Sequence, residues 1–347
     1  MKNSSLVRVG LGLFMAFALL LAGCGSGSTY QPLSPGRVIA FGDALSAVTA
    51  TGEAAFSVRN TTTLETDSTV ASRMAAKYGI RLVAATPGQA VTGSVSYANT
   101  AVAGANVGQE RIADMDLQIQ DFLAHNTVRS DDFFILTVGS LDIYDAANGT
   151  GNLTTATQAL TTAIKRLTDA GARYVLYVMP VNMARTPWGQ NPTGFVGTPA
   201  GVTSAAVQAL SYDTGTACAS FQCKAVTSLA NAYPATSNGQ PLLVADVQNY
   251  FNLVTGTTVT GSANTFTAYG VLNPDLPVCT TANTVLPPVA GCTDANASTG
   301  TRAVYGLTSA YSWATSVFAD NLFLTPLAHR VIADYIYGSL MFRAGWR

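Results

Sequence analysis

The chain of 347 residues carries 18 Lys and Arg against 19 Asp and Glu, a formal net charge of -1. That balance lacks the clustered basic residues that a phosphate backbone requires, so no nucleic-acid partner is expected. Hydrophobic residues make up 48% and charged ones 11%, well under the roughly 25% charge of ordinary soluble domains; this excludes disorder and coiled coil and suits an exported protein with a hydroxyl-rich surface.

Lys2 and Arg8 flank the start of an apolar run, Val9 to Leu21, that is too short for a comfortable membrane span. It closes on Leu21-Ala22-Gly23-Cys24. Small residues before a cysteine resemble a lipobox, which predicts cleavage before Cys24 and acylation of its thiol, each buried methylene holding the membrane by about 0.8 kcal/mol. Gly25-Ser26-Gly27-Ser28 reads as a flexible tether. Gly25 after the cysteine resembles lipoproteins sorted to the outer membrane. The expected organisation is a signal peptide over 1–23, a lipidated tether over 24–36 and one domain over 37–347. The expected location is the bacterial cell envelope, facing the periplasm or the cell surface.

From Arg37 short β-rich runs alternate with helical stretches, the pattern of a parallel sheet covered by helices. Strands are predicted over Arg37–Phe41, Ile80–Ala84, Phe133–Val138, Tyr174–Met179 and Leu242–Asp246, giving a mostly parallel five-stranded sheet. Helices are predicted over Ser68–Tyr78, Arg111–Ala124, Thr154–Gly171, Ala205–Tyr212, Ala225–Tyr233 and Pro326–Leu340. The stretch from Thr255 to Ser316 is too long for a simple connection and reads as a rim or lid.

With Cys24 assigned to lipid, Cys218, Cys223, Cys279 and Cys292 remain. Four cysteines allow three connectivities, and the sequence-local pairs Cys218 with Cys223 and Cys279 with Cys292 are preferred, each stapling a Gly/Pro/Asn-rich loop. Zinc is the competing use, but no histidine lies near these cysteines and the spacing is not that of a zinc ribbon. No metal or other cofactor is expected.

Four motifs carry a resemblance. Val38-Ile39-Ala40-Phe41-Gly42-Asp43-Ala44-Leu45-Ser46 follows a strand and is expected to open a helix; it is similar to the first block of the SGNH (GDSL) hydrolases, a family of lipases, esterases and acylhydrolases. The resemblance implies a three-layer α/β/α, flavodoxin-like fold. Ala44 stands where the family has its nucleophilic serine. Gly104, in Ala101-Val102-Ala103-Gly104-Ala105, matches the glycine whose backbone N–H faces the oxyanion. In Val138-Gly139-Ser140-Leu141-Asp142, Leu141 replaces the oxyanion asparagine. In Phe318-Ala319-Asp320-Asn321-Leu322-Phe323, Asp320 matches the triad aspartate and Phe323 takes the place of the catalytic histidine.

These replacements have consequences of their own. Acyl transfer by a serine needs a hydroxyl, a base and oxyanion donors. Ala44 has no hydroxyl, Phe323 no titratable nitrogen and Leu141 no donor. Losing nucleophile or base costs on the order of a million-fold in a serine protease, and an oxyanion donor roughly a hundred- to a thousand-fold. The chain is therefore expected to be a pseudoenzyme that acts by binding an acyl chain, an acylated glycan or an envelope partner. An ester hydrolase with non-standard residues and a purely structural lipoprotein are the alternatives.

A substitute base would have to come from a carboxylate or from His125 or His329, the two histidines of the chain. His329 is expected to be structural in the closing helix, and His125 to cap a helix C-terminus, where a cation is favoured. Ser46, two residues past the nucleophile position, is expected to pack or cap rather than react. Asp43 and Asp142 read as backbone organisers. The spacing of Asp43, Asp142, Asp246 and Asp320 is too wide to specify a metal site. Tyr144, Trp188, Phe195, Tyr269, Tyr311 and Trp313 fall in or beside loops at the ligand-binding edge of such a sheet, where they line a cleft or pack the loops.

Overall fold

The computed structural model describes residues 33–63, 68–212, 217–234, 240–256, 265–279, 284–301 and 310–346. Residues 1–32, which include the expected signal peptide, Cys24 and most of the tether, lie outside them. Among the described residues no helix is long and apolar enough to cross a membrane.

Parallel pairing organises six short strands: β1 (Arg37–Gly42), β2 (Val83–Ala84), β3 (Val95–Ser96), β4 (Asp132–Thr137), β5 (Tyr174–Val178) and β6 (Leu242–Ala245). Their order across the sheet is β2-β3-β1-β4-β5-β6. The expected five strands become six because β3 is a two-residue strand inside Gly93-Ser94-Val95-Ser96, too short and too rich in turn formers to show a period. β1 and β4 are buried along their whole length, as strands covered on both faces must be.

Successive residues of β4 point to opposite faces, which separates the two helical layers. The Phe134 ring lies 5.7 Å from Phe122, on helix α2, whereas Phe133 meets Tyr78 at 6.0 Å and Trp346 at 6.4 Å. The helices are α1 (Val70–Ala76), α2 (Ile112–His125), α3 (Ser140–Ala147), α4 (Leu153–Asp169), α5 (Pro187–Gln190), α6 (Ser204–Ser211), α7 (Phe221–Ala232), α8 (Gln248–Val254) and α9 (Pro326–Tyr335). α2, α4 and α7 pack side by side on one face, and α1 packs with α9 on the other. The fold is therefore the three-layer α/β/α, flavodoxin-like arrangement.

Local sequence explains the helix ends. Asn152 caps α4 by accepting from the N–H groups of Thr154 at 2.9 Å and Thr155 at 3.1 Å. Its inward stripe is Leu153, Leu160, Ala163, Ile164 and Leu167. α9 starts at Pro326 behind the Thr325 cap, passes into a π turn over Ile336–Met341, and the chain leaves the helical region at Gly345 with φ 77°. The end of the sheet away from the strand C-termini is tied by a buried ion pair: Arg37 Nε donates to Asp132 Oδ1 at 2.6 Å and Nη2 to Oδ2 at 2.9 Å. Packing begins before β1, since buried Leu33 donates its N–H to the Trp346 carbonyl at 3.2 Å.

Two further expectations change. The first motif does not open a helix: residues 44–46 form a turn and the chain runs on as a small hairpin, with α1 starting only at Val70. The long stretch before Ser316 is not structureless, because Asn273–Pro277 (β7) pairs parallel with Ser316–Phe318 and Gly300–Thr301 (β8) pairs antiparallel with Ala310–Tyr311. Val58, Val278, Cys279, Cys292 and Ala319 form its own small core. The disulfides are Cys218–Cys223 and Cys279–Cys292, the sequence-local pairing.

Candidate functional site

From β1 the chain moves to β2 and β3 on one side of the sheet and then crosses to β4 on the other. In an open parallel sheet the crevice at such a reversal, beyond the strand C-termini, is the natural ligand site. β1 delivers Asp43 and Ala44 there, and β4 delivers Gly139, Ser140 and Leu141.

Two glycines make this edge possible. Gly42 has φ 122°, and a Cβ on it would lie 1.8 Å from the Thr137 carbonyl oxygen. The Gln118 side-chain amide clamps Gly42, its Oε1 accepting from Gly42 N–H at 2.7 Å and its Nε2 donating to Gly42 O at 3.2 Å. Asp43 N–H then donates to Thr137 O at 2.7 Å. Gly139, with φ 124°, caps α3, and a Cβ there would strike the Phe221 ring at 2.6 Å. The third motif thus runs directly into a helix, for which the sequence alone gives no expectation.

The reactive positions are filled with carbon. Ala44 is 3% exposed, Leu141 0% and Phe323 2%. Gly104 is exposed at φ 83° on the turn in which Ala105 N–H donates to Val102 O at 3.1 Å. Asp320 is buried and serves the backbone: Oδ1 accepts from Leu322 N–H at 2.8 Å and Phe323 N–H at 2.7 Å, and Oδ2 from Val289 N–H at 3.1 Å. Burial, partly offset by these bonds, raises its pKa.

Ser46, His329 and His125 each make bonds of their own. Ser46 is fully buried, with its Oγ 2.6 Å from Thr137 Oγ1 and its carbonyl accepting from the Ser96 hydroxyl at 2.8 Å. His329 Nδ1 accepts from Val70 N–H at 3.1 Å and so pins α9 to the start of α1. Burial first, and Arg73 second, push its pKa down to about 3, so it is a neutral imidazole. His125 is exposed at the end of α2, its Nδ1 donating to the Asp121 carbonyl at 2.8 Å.

Beneath the crevice lies a group of carboxyls, of which the sequence reading missed Glu110. Asp43, 1% exposed, is pushed up to about 8, mainly by burial, against the Leu45 N–H and Thr137 hydroxyl that bond it. Burial likewise raises Glu110 to about 7, although Asn99 N–H at 2.6 Å and Gly108 N–H at 3.1 Å both donate to its Oε1. Asp142, raised to about 7 by burial, accepts Ile112 N–H at 3.2 Å and so caps α2. Asp43 Oδ2 and Glu110 Oε2 are buried without a hydrogen-bond partner among the described residues, as suits carboxyls that keep a proton near neutrality. Asp246 instead bonds Gln222 and the Gln248 N–H, away from this group. Among the described residues no group of three His, Cys, Asp or Glu side chains is arranged to hold a metal. Glu110 carries one local signal, a lone acid just before the amphipathic run of α2, but nothing in the sequence places it beside Asp43.

The six aromatic residues pack rather than open a cleft. Trp188 is fully buried, 4.9 Å from Tyr144 between ring centres. Phe195 packs on the main core, Tyr269 stands edge-on to Tyr250 at 5.5 Å, and Tyr311 and Trp313 cover the small core around Cys279–Cys292.

No curated protein gives a significant match to the sequence. The family profile described as GDSL-like Lipase/Acylhydrolase does match, over residues 38–336, a span that takes in every motif above. A match over that much of the chain, on a parallel sheet with the first and third of the family's motifs at its switch point, shows that the chain belongs to the GDSL-like lipase/acylhydrolase family.

Proposed function

We propose that this GDSL-family chain is a lipid-anchored protein of the bacterial cell envelope that does not hydrolyse esters and acts by binding. The observation that carries the reading is Phe323. It holds the histidine position, its ring is buried, and its N–H is taken by the aspartate that a catalytic imidazole would need. Ala44 and Leu141 support it, since a buried methyl and a buried isobutyl group supply neither nucleophile nor oxyanion donor. Cys24 and the apolar run before it support the anchor.

Short- and long-chain nitrophenyl esters test the loss of hydrolysis, with the parent beside a variant carrying Ala44→Ser, Leu141→Asn and Phe323→His. The parent is expected to match the uncatalysed rate, and circular dichroism reports whether the variant is folded. Ester turnover by the parent, abolished by a fluorophosphonate, overturns the reading in favour of an unrecognised nucleophile.

A further inference from the structure

The described chain begins at the end of the sheet away from the crevice. Leu33 N–H donates to Trp346 O at 3.2 Å, and the Trp346 ring lies 5.4 Å from Tyr174 and 6.4 Å from Phe133. Tyr174 opens β5 and Phe133 follows the first residue of β4, so Leu33 and Trp346 sit together at the strand N-termini. The crevice lies at the strand C-termini, about 20 Å away along the six residues of β1. Eight residues separate Cys24 from Leu33, a reach of at most about 30 Å when fully extended. An acyl chain on Cys24 therefore keeps the strand N-terminal end within that distance of the bilayer.

That end carries groups that an anionic bilayer attracts. Phe342 is 65% exposed and stands one turn before Trp346, with exposed Arg343 beside it. Exposed Arg129 and Arg173 lie in the turns that lead into β4 and β5. The backbone fixes Arg129, whose N–H donates to Asp132 Oδ2 at 2.7 Å and whose carbonyl accepts from Asp132 N–H at 3.2 Å. Among the described residues no ion pair involves Arg129, Arg173 or Arg343. The neighbouring acids are matched, Asp132 by Arg37, Asp169 by Lys165 and Asp334 by Lys77, which leaves exposed Asp131 against three arginines.

Anionic headgroups attract such basic surfaces, a guanidinium matches a phosphate in two parallel bonds, and an aromatic ring beside basic residues suits the headgroup layer. We propose that the strand N-terminal end is a docking surface for a bilayer of anionic phospholipid, with Phe342 in the headgroup layer and Arg129, Arg173 and Arg343 on lipid phosphates. Docked in this way, the domain opens its crevice away from the bilayer. The proposal names the surface that the envelope-bound protein rests on, and it stands on the anchor at Cys24.

The chain from Cys24 keeps every described residue, and its Cys24 thiol is the one outside the two disulfides. Coupling that thiol to a maleimide lipid in vesicles sets up the test. Hydrogen exchange read by mass spectrometry compares vesicles containing phosphatidylglycerol with vesicles of phosphatidylcholine alone. On the anionic vesicles exchange is expected to slow several-fold over 128–131, 171–173 and 342–345. It should stay unchanged over 99–108, in the loop that leaves β3 at its C-terminal end. Phe342→Ser, and Arg129→Gln with Arg173→Gln and Arg343→Gln, replace exposed side chains; both variants are expected to keep the parent's circular dichroism and lose the slowing. In co-sedimentation of the uncoupled chain, each Arg→Gln weakens binding to the anionic vesicles by roughly five-fold. The proposal is overturned if nothing slows, if phosphatidylcholine slows the same segments equally, if the slowing falls on 99–108, or if a folded variant keeps it. Chemical coupling supplies the anchor here, so a Cys24 that carries no acyl chain in the cell would remove the anchor reading and leave this result intact.

Discussion

Asp320 holds Phe323 by the backbone: its Oδ1 accepts the Phe323 N–H at 2.7 Å while its Oδ2 reaches across to Val289. The carboxylate that would orient a catalytic imidazole is spent on loop architecture. Asp320→Ala strands buried N–H donors and is expected to cost about 2–4 kcal/mol, with Asp320→Asn milder because one oxygen acceptor survives. Urea unfolding of the two variants measures the difference. Equal and negligible losses would contradict the structural role.

Stability should fall as the pH rises from 5 to 8. Asp43 at about 8, Glu110 at about 7 and Asp142 at about 7 all lie above their unfolded values near 4. The native state therefore keeps protons that the unfolded chain releases, which lowers stability with rising pH. Asp320 adds in the same direction. Asp43→Asn should make the slope of unfolding free energy against pH shallower.

His329 works the opposite way below pH 6.5. Its folded value, about 3, lies below that of the unfolded imidazole, so the unfolded state binds the extra proton and stability rises as the pH climbs to about 6.5. One imidazole against several carboxyls flattens the decline without reversing it. His329→Asn, which offers Oδ1 to the Val70 N–H, removes the titration, and the decline between pH 5 and 6.5 should steepen in thermal melts.

At the opposite end of the sheet, Asp132→Ala leaves the Arg37 guanidinium, 3% exposed, without its partner. Loss of one member of a buried pair costs about 3–5 kcal/mol, whereas apolar replacement of both costs far less. Denaturant midpoints of Asp132→Ala and of Arg37→Met with Asp132→Leu test this.

The anchor is tested by Cys24→Ser. The parent is expected in the membrane fraction, carrying the mass of attached acyl chains, and the variant in the soluble fraction. A parent that fractionates as soluble without added mass removes the lipid from the account.

Much of this architecture is written locally. Runs such as Phe133-Phe134-Ile135-Leu136 declare a strand buried on both faces, and the stripe from Leu153 to Leu167 declares a helix, because each period is complete within one element. β3 escapes notice because two residues cannot show a period. α3 is hidden because its start depends on Gly139 at positive φ, with Phe221 packed from a distant part of the chain. The substitutions at Ala44, Leu141 and Phe323 are legible as missing atoms. The pairing of Arg37 with Asp132 and the closeness of Glu110 to Asp43 arise from tertiary contact and leave no local trace.

On the proposed non-hydrolytic reading, the burial of Ala44, Leu141 and Phe323 also bears on any route to catalysis. Leu141→Asn alone would set an amide in a dry interior, and Phe323→His alone would put an imidazole beside an aspartate already engaged by three N–H groups. Each single step costs stability, and none gives a working site while the other two positions stay apolar. The three positions form a one-way gate: a random single-substitution screen for esterase activity should return nothing, and recovery requires the changes to arrive together.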